Sequence, residues 1–112
     1  MARFMKIARK TDIGNGEIKG FSTPSCPVLI ANINGRFYAM DSVCPHAHAP
    51  LEDGVLEGKT LKCPWHGSTF DLETGRCTSG PAMVDQHVYN LKIEDGVIQI
   101  EMPDPKKMKN SL

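Results

Sequence analysis

The sequence predicts an all-β chain, a sandwich or barrel. Three observations carry that prediction. Apolar residues fall in short runs with no sustained helical spacing. Gly, Asn and Asp separate those runs, as turns between many short strands require. Two of the separators, Asn34-Gly35 and Glu94-Asp95-Gly96, have hairpin chemistry. At 112 residues the chain has the size of one domain.

Arg3 to Lys10 reads as the first strand, with Phe4, Ile7 and Ala8 as its apolar members. Thr11 to Gly16 is a turn, in which Asp12, Gly14, Asn15 and Gly16 are expected to supply unusual dihedrals. Glu17 to Phe21 is a short strand, and Thr23-Pro24-Ser25-Cys26-Pro27 a loop. Val28 to Ile33 is a strand that returns through Asn34-Gly35 into Arg36 to Met40, because both turn positions need positive φ. Asp41 to Gly58 contains a Cys/His stretch and then the turns Gly54 and Gly58, and the interval from His46 to Cys63 reads as a hairpin spacer. Lys59 to Cys63 is a short strand. Thr69 to Leu72, the turn Glu73-Thr74-Gly75 and Arg76 to Thr78 form a hairpin, followed by the rigid loop Ser79-Gly80-Pro81-Ala82. Val88 to Ile93 and Val97 to Met102 form the last hairpin, and Pro103 to Leu112 a frayed tail.

Composition narrows the function. Thirteen basic and 13 acidic residues give zero formal net charge, so no global field drives binding to nucleic acid or an anionic membrane. No apolar run approaches the roughly 20 residues of a membrane span. The N-terminus lacks a signal-peptide core. A cytoplasmic protein is expected. Of the four cysteines, Cys44 and Cys63 each have a histidine within three residues, which favours metal ligation over a disulfide framework. Cys26 and Cys77 read as small, partly buried apolar residues.

The chemistry concentrates in two clips, Cys44-Pro45-His46 and Cys63-Pro64-Trp65-His66, with sixteen residues between His46 and Cys63. Together they offer two thiolates and two imidazoles. A tetrahedral structural zinc fits that donor set. So does a [2Fe–2S] cluster with two cysteines on one iron and two histidines on the other. Zinc fingers usually pair like ligands in each loop, whereas each loop here is mixed, so that both loops can clamp both metals.

These clips, with the flanks Ala49-Pro50-Leu51 and Gly67-Ser68-Thr69-Phe70-Asp71-Leu72-Glu73-Thr74-Gly75, resemble the Rieske iron–sulfur family. The resemblance spans about Val28 to Met102. It implies a single Rieske domain of small antiparallel sheets over residues 1–112, with a cluster-binding subdomain at about 41–81 inserted into a basal β part at about 1–40 and 82–102. It implies one [2Fe–2S] cluster per chain, with Cys44 and Cys63 on the inner iron and His46 and His66 on the outer, exposed one. Ser79-Gly80-Pro81 resembles the proline-bearing loop that covers the cluster. Ser68, Trp65 and Pro81 would surround the ligands.

Neutral imidazoles make the oxidised site less negative than four thiolates do, so Rieske potentials lie at about −150 to +300 mV, above plant-type ferredoxins. The quinol-oxidising membrane branch of the family has an extra cysteine in each loop, an N-terminal anchor, and a serine and a tyrosine that raise the potential. Here Ala49 and Trp65 stand at the extra-cysteine positions, Ser68 keeps the serine, and Phe70 replaces the tyrosine. A low or intermediate potential is expected, with Ser68 biasing it upward.

The pattern resembles soluble Rieske-type ferredoxins that serve oxygenases, and 112 residues leave no room for a separate catalytic iron domain. The expected function is that of an electron carrier, not an enzyme. Its partners would be a reductase and an oxygenase or similar acceptor, with no nucleic acid, membrane or small-molecule substrate. The alternatives are a Rieske-type small subunit of a larger reductase, such as a nitrite reductase, and a structural zinc module. His48 reads as an exposed loop histidine and His87 as a surface residue. Trp65 reads as packing over the ligand loops, with partner contact as its functional alternative. Asp71, Glu73 and Gly75 read as turn formers, and Lys106, Lys107 and Lys109 as a solvated tail.

Overall fold

The computed structural model describes residues 3–23, 27–43, 50–64, 68–79 and 85–102. The described strands are β1 (Arg3–Arg9), β2 (Ile18–Phe21), β3 (Val28–Ile33), β4 (Arg36–Asp41), β5 (Val55–Glu57), β6 (Thr60–Lys62), β7 (Thr69–Asp71), β8 (Cys77–Ser79), β9 (Val88–Tyr89), β10 (Leu91–Glu94) and β11 (Val97–Met102). The described residues contain no α-helix, only 3-10 turns at Lys10–Asp12 and Leu51–Asp53. All strand pairings are antiparallel. They form three sheets, ordered β1-β11-β10, β2-β3-β4-β9 and β5-β6-β7-β8.

The second sheet lies between the other two. Val28, Leu29, Ile30 and Ala31 of β3 are all fully buried, and successive side chains on a strand point to opposite faces. Val28 and Ile30 pack with Ala39, Tyr89, Ile98 and Ile100 toward the first sheet. Leu29 and Ala31 pack with Met40, Leu51, Leu61, Cys63, Phe70 and Leu72 toward the third. The unbroken apolar run of β3 is therefore that of a strand covered on both faces.

Turn chemistry places the strands. Asn34 (φ 54°) and Gly35 (φ 88°) close β3 onto β4, and Gly35 N donates to the Asn32 side chain at 2.9 Å. Asp95 (φ 51°) and Gly96 (φ 76°) close β10 onto β11. At the far edge, Lys92 Nζ lies 3.1 Å from Glu94 and 4.5 Å over the Phe4 ring. The hydrogen bond and charge of Lys92 hold the exposed Glu94 carboxyl below the usual carboxylate range.

Several elements differ from the sequence reading. The expected strand from Val88 to Ile93 is two strands in two sheets. Tyr89 pairs with Ala39 of β4, whereas Leu91 pairs with Ile100 of β11. Asn90 makes the corner: its carbonyl accepts from Glu101 N at 2.8 Å, and its side chain donates to the Glu101 carboxylate at 2.8 Å. A strand that changes sheets this way forms the corner of a packed β structure.

The hairpin expected between the clips is β5 paired with β6, and β5 is a strand to which the sequence assigned no bounds. Val55 in β5 is 57% exposed, so no buried alternation marks it in the sequence. In the turn after β1, only Gly16 takes a positive φ. Asp12 instead accepts from Arg9 N at 2.9 Å. Ile13, within that turn, is a core residue.

Candidate metal centre

Three of the four internal stretches outside the described residues, 44–49, 65–67 and 80–84, are bounded by described residues that lie close together. Segment 44–49 leaves at Val43 and returns at Pro50, and these two residues form an antiparallel bridge. Just outside them, Leu51 N donates to Ser42 O at 2.6 Å. The Ser42 hydroxyl donates to the Glu52 carboxylate.

The second segment lies between β6 and β7. Lys62 pairs with Thr69, and the ladder continues one step as Cys63 N donates to Ser68 O at 2.7 Å. Thr69 also pairs with Ser79 of β8, so the third segment, 80–84, starts beside the second. The hydroxyls of Thr69 and Thr78 meet at 2.5 Å across that pair. The third segment returns at Asp85, whose carboxylate accepts from Cys77 N at 3.0 Å. Gln86 N then donates to Gly75 O at 2.6 Å.

Of the predicted ligands, Cys63 lies within the described structure. It is 2% exposed and packed among Leu51, Leu61, Phe70 and Leu72. Cys44, His46 and His66 lie outside the described residues, as do Trp65, Pro81, His48, Cys26, Gly67, Ala49 and the lysines of the tail. Ser68 is fully buried beside Cys63. Phe70 is fully buried in the cluster that holds Cys63. Cys77 is half-buried opposite Phe70. His87 is exposed, its ring set edge-on against Tyr89 at 4.5 Å. Asp71 is the turn former expected, accepting from Glu73 N at 2.8 Å and Thr74 N at 3.2 Å.

The donor chemistry fits an iron–sulfur group. A thiol at the end of β6, shielded by apolar side chains, suits a sulfur ligand on the core side of a cluster. Two side chains at this end carry no pattern in the sequence. Gln86 is 7% exposed and spans from the third segment to the first. Tyr89 donates its hydroxyl to Asp41 at 2.5 Å. Both are single polar residues beside strand ends, and only the pairing of β9 with β4 brings them to Asp41.

A family model described as the Rieske [2Fe-2S] domain matches residues 3–92. The ferredoxin component of the naphthalene 1,2-dioxygenase/salicylate 5-hydroxylase systems of a Ralstonia species is 33% identical over 91 residues, 81% of this chain and 88% of the relative. Apoptosis-inducing factor 3 of Mus musculus is 36% identical over 94 residues, 84% of this chain. The chain spans only 16% of that protein's length. Among solved structures, a chain of the complex of reduced oxygenase and oxidized ferredoxin in carbazole 1,9a-dioxygenase superposes with a TM-score of 0.83 at 27% identity. That match covers 88% of this chain and 92% of the other.

Proposed function

The chain belongs to the Rieske [2Fe-2S] domain family, and from that premise we propose that it is a one-electron carrier between a reductase and an oxygenase. The observation that carries this reading is the family match over residues 3–92, which takes in both Cys/His clips. The chain also spans 88% of a relative named as a ferredoxin component of a dioxygenase system.

The proposed ligands are Cys44 and Cys63 for one iron and His46 and His66 for the other. When bound, the cluster supplies a one-electron couple within about −150 to +300 mV. Cys63 contributes a thiolate from the apolar side, where Leu61 and Phe70 exclude water. Ser68 extends the β6–β7 ladder to the edge of segment 65–67, to which His66 belongs, through its carbonyl bond to Cys63 N. Residues 41–81 are proposed as the cluster-binding unit. Their third sheet is inserted between β4 and β9, which pair directly. The basal part is residues 1–40 and 82–102. A cytoplasmic setting belongs to the proposal, supported by the use of cysteines as proposed metal ligands, which suits a reducing compartment.

Metal analysis and electron paramagnetic resonance of the dithionite-reduced protein test the reading. Two irons and two acid-labile sulfides per chain are expected, with an average g below that of four-cysteine clusters. A colourless protein holding one zinc and no sulfide would overturn it. Rapid reoxidation of the reduced protein by a Rieske-type oxygenase, followed by stopped flow, tests the acceptor class.

A further inference from the structure

We propose that Gln86 is a positioning residue of the metal centre: it grips the chain at the entry to segment 44–49 and thereby sets the properties of the cluster. The proposal rests on the reading above. The Gln86 side chain is 7% exposed. Its Nε2 donates to Val43 O at 2.6 Å and to Asp41 O at 3.2 Å. Its Oε1 accepts from His87 N at 3.1 Å. An amide has two N–H donors, and both are spent on the two carbonyls that flank Ser42.

The Val43 carbonyl belongs to the peptide unit that Cys44 completes. That unit is planar, so a hydrogen bond on the oxygen fixes the plane that carries the Cys44 N–H. Gln86 is itself held: its backbone N–H donates to Gly75 O at 2.6 Å, at the tip of the β7–β8 hairpin. One residue therefore ties the entry of segment 44–49 to the exit of segment 80–84 through its side chain, and to the β7–β8 turn at Gly75 through its backbone.

Packing alone would not select this residue. Burying an amide costs free energy unless its groups are bonded, and an apolar side chain would fill the space as well. The buried polar residues among those described are Asn32, Ser42, Ser68 and Gln86. Three of them stand at the ends of the segments leaving the framework. Asn32 sits at the opposite end of the β3–β4 pair, its side chain donating to Ile13 O at 2.9 Å. Asn32 is thus an internal control with the same chemistry.

The test compares holoprotein carrying Gln86→Met, Gln86→Glu or Asn32→Leu with wild type. Met removes both donors at similar length. Glu keeps the acceptor for His87 N but sets a carboxylate oxygen against the Val43 carbonyl. Midpoint potential, the resonance spectrum of the reduced cluster and the rate of iron loss to a chelator are read for each. Both Gln86 variants are expected to lose iron roughly 10-fold faster or more, the scale of outer-shell effects on metal sites, and to show shifted potential and g values. Asn32→Leu is expected to unfold more easily yet keep the wild-type potential and spectrum. Wild-type values in Gln86→Met, or equal shifts in Asn32→Leu, would overturn the proposal. If neither Gln86 variant takes up a cluster, hydrogen exchange of the Gln86 side-chain amide in wild type decides. Slow exchange supports the grip, and free-solvent exchange overturns it. Wild type without iron or sulfide would overturn the reading above and this one with it, whereas a loaded wild type with unmoved variants overturns this one alone.

Discussion

Phe70 shows how much one atom can matter at the residue scale. It is fully buried and shares an apolar cluster with Cys63, Leu61 and Met40. Its ring carries no hydroxyl, so it donates nothing toward sulfur. Phe70→Tyr places a donor within that cluster, where an unbonded hydroxyl is costly. The expected outcome is a higher midpoint potential, because a hydrogen bond to a ligand or cluster sulfur favours the more negative reduced state. A redox titration of the loaded variant checks this, and an unmoved potential would show that the hydroxyl bonds elsewhere. The proposed ligand role of Cys63 rests on a local pattern in the sequence, a cysteine followed by proline with a histidine close by. The role of Gln86 was not readable, because its partners Asp41 and Val43 lie more than forty positions away.

The β7–β8 hairpin shows the same dependence at the scale of elements. Gly75 has φ +80°, and a methyl there would lie 2.0 Å from the Gln86 carbonyl oxygen. Gly75→Ala therefore meets backbone, which cannot step aside cheaply. It is expected to destabilise the protein by more than the roughly 1 kcal/mol of a helical Gly/Ala exchange and to speed iron loss, since it pushes on Gln86. Denaturant unfolding and chelator kinetics of the variant measure both effects. The sequence marked this turn, along with β3 and β11, whose residues carry strong local preferences. It set no bounds for β5, whose exposed Val55 leaves no alternation to read. It also merged β9 with β10, because a corner made by a cross-strand Asn90–Glu101 bond leaves no local trace.

Across the whole molecule, the second sheet serves two cores at once. Leu29 faces the core that includes Cys63 and Ile30 the opposite one. Leu29→Ala and Ile30→Ala should each cost about 2–5 kcal/mol of stability, as buried large-to-small changes do. Their redox consequences should differ. Leu29→Ala loosens the layer that holds Cys63, so faster iron loss and a displaced potential are expected. Ile30→Ala should leave both near wild type. Denaturant unfolding paired with potentiometry checks the contrast, and equal redox effects would mean that the two cores are mechanically one.

The pairing of β1 with β11 joins Arg3 to Met102. Adjacent strands stand about 5 Å apart, so the two ends of the described framework leave side by side. They leave from the first sheet, with the second sheet between them and the layer that holds Cys63. A flexible tether attached at either end, or a short linker closing the chain into a ring, would start from the layer opposite the third sheet. The framework can thus be spliced into a loop of a larger polypeptide as a plug-in unit without cutting any strand that carries a proposed ligand.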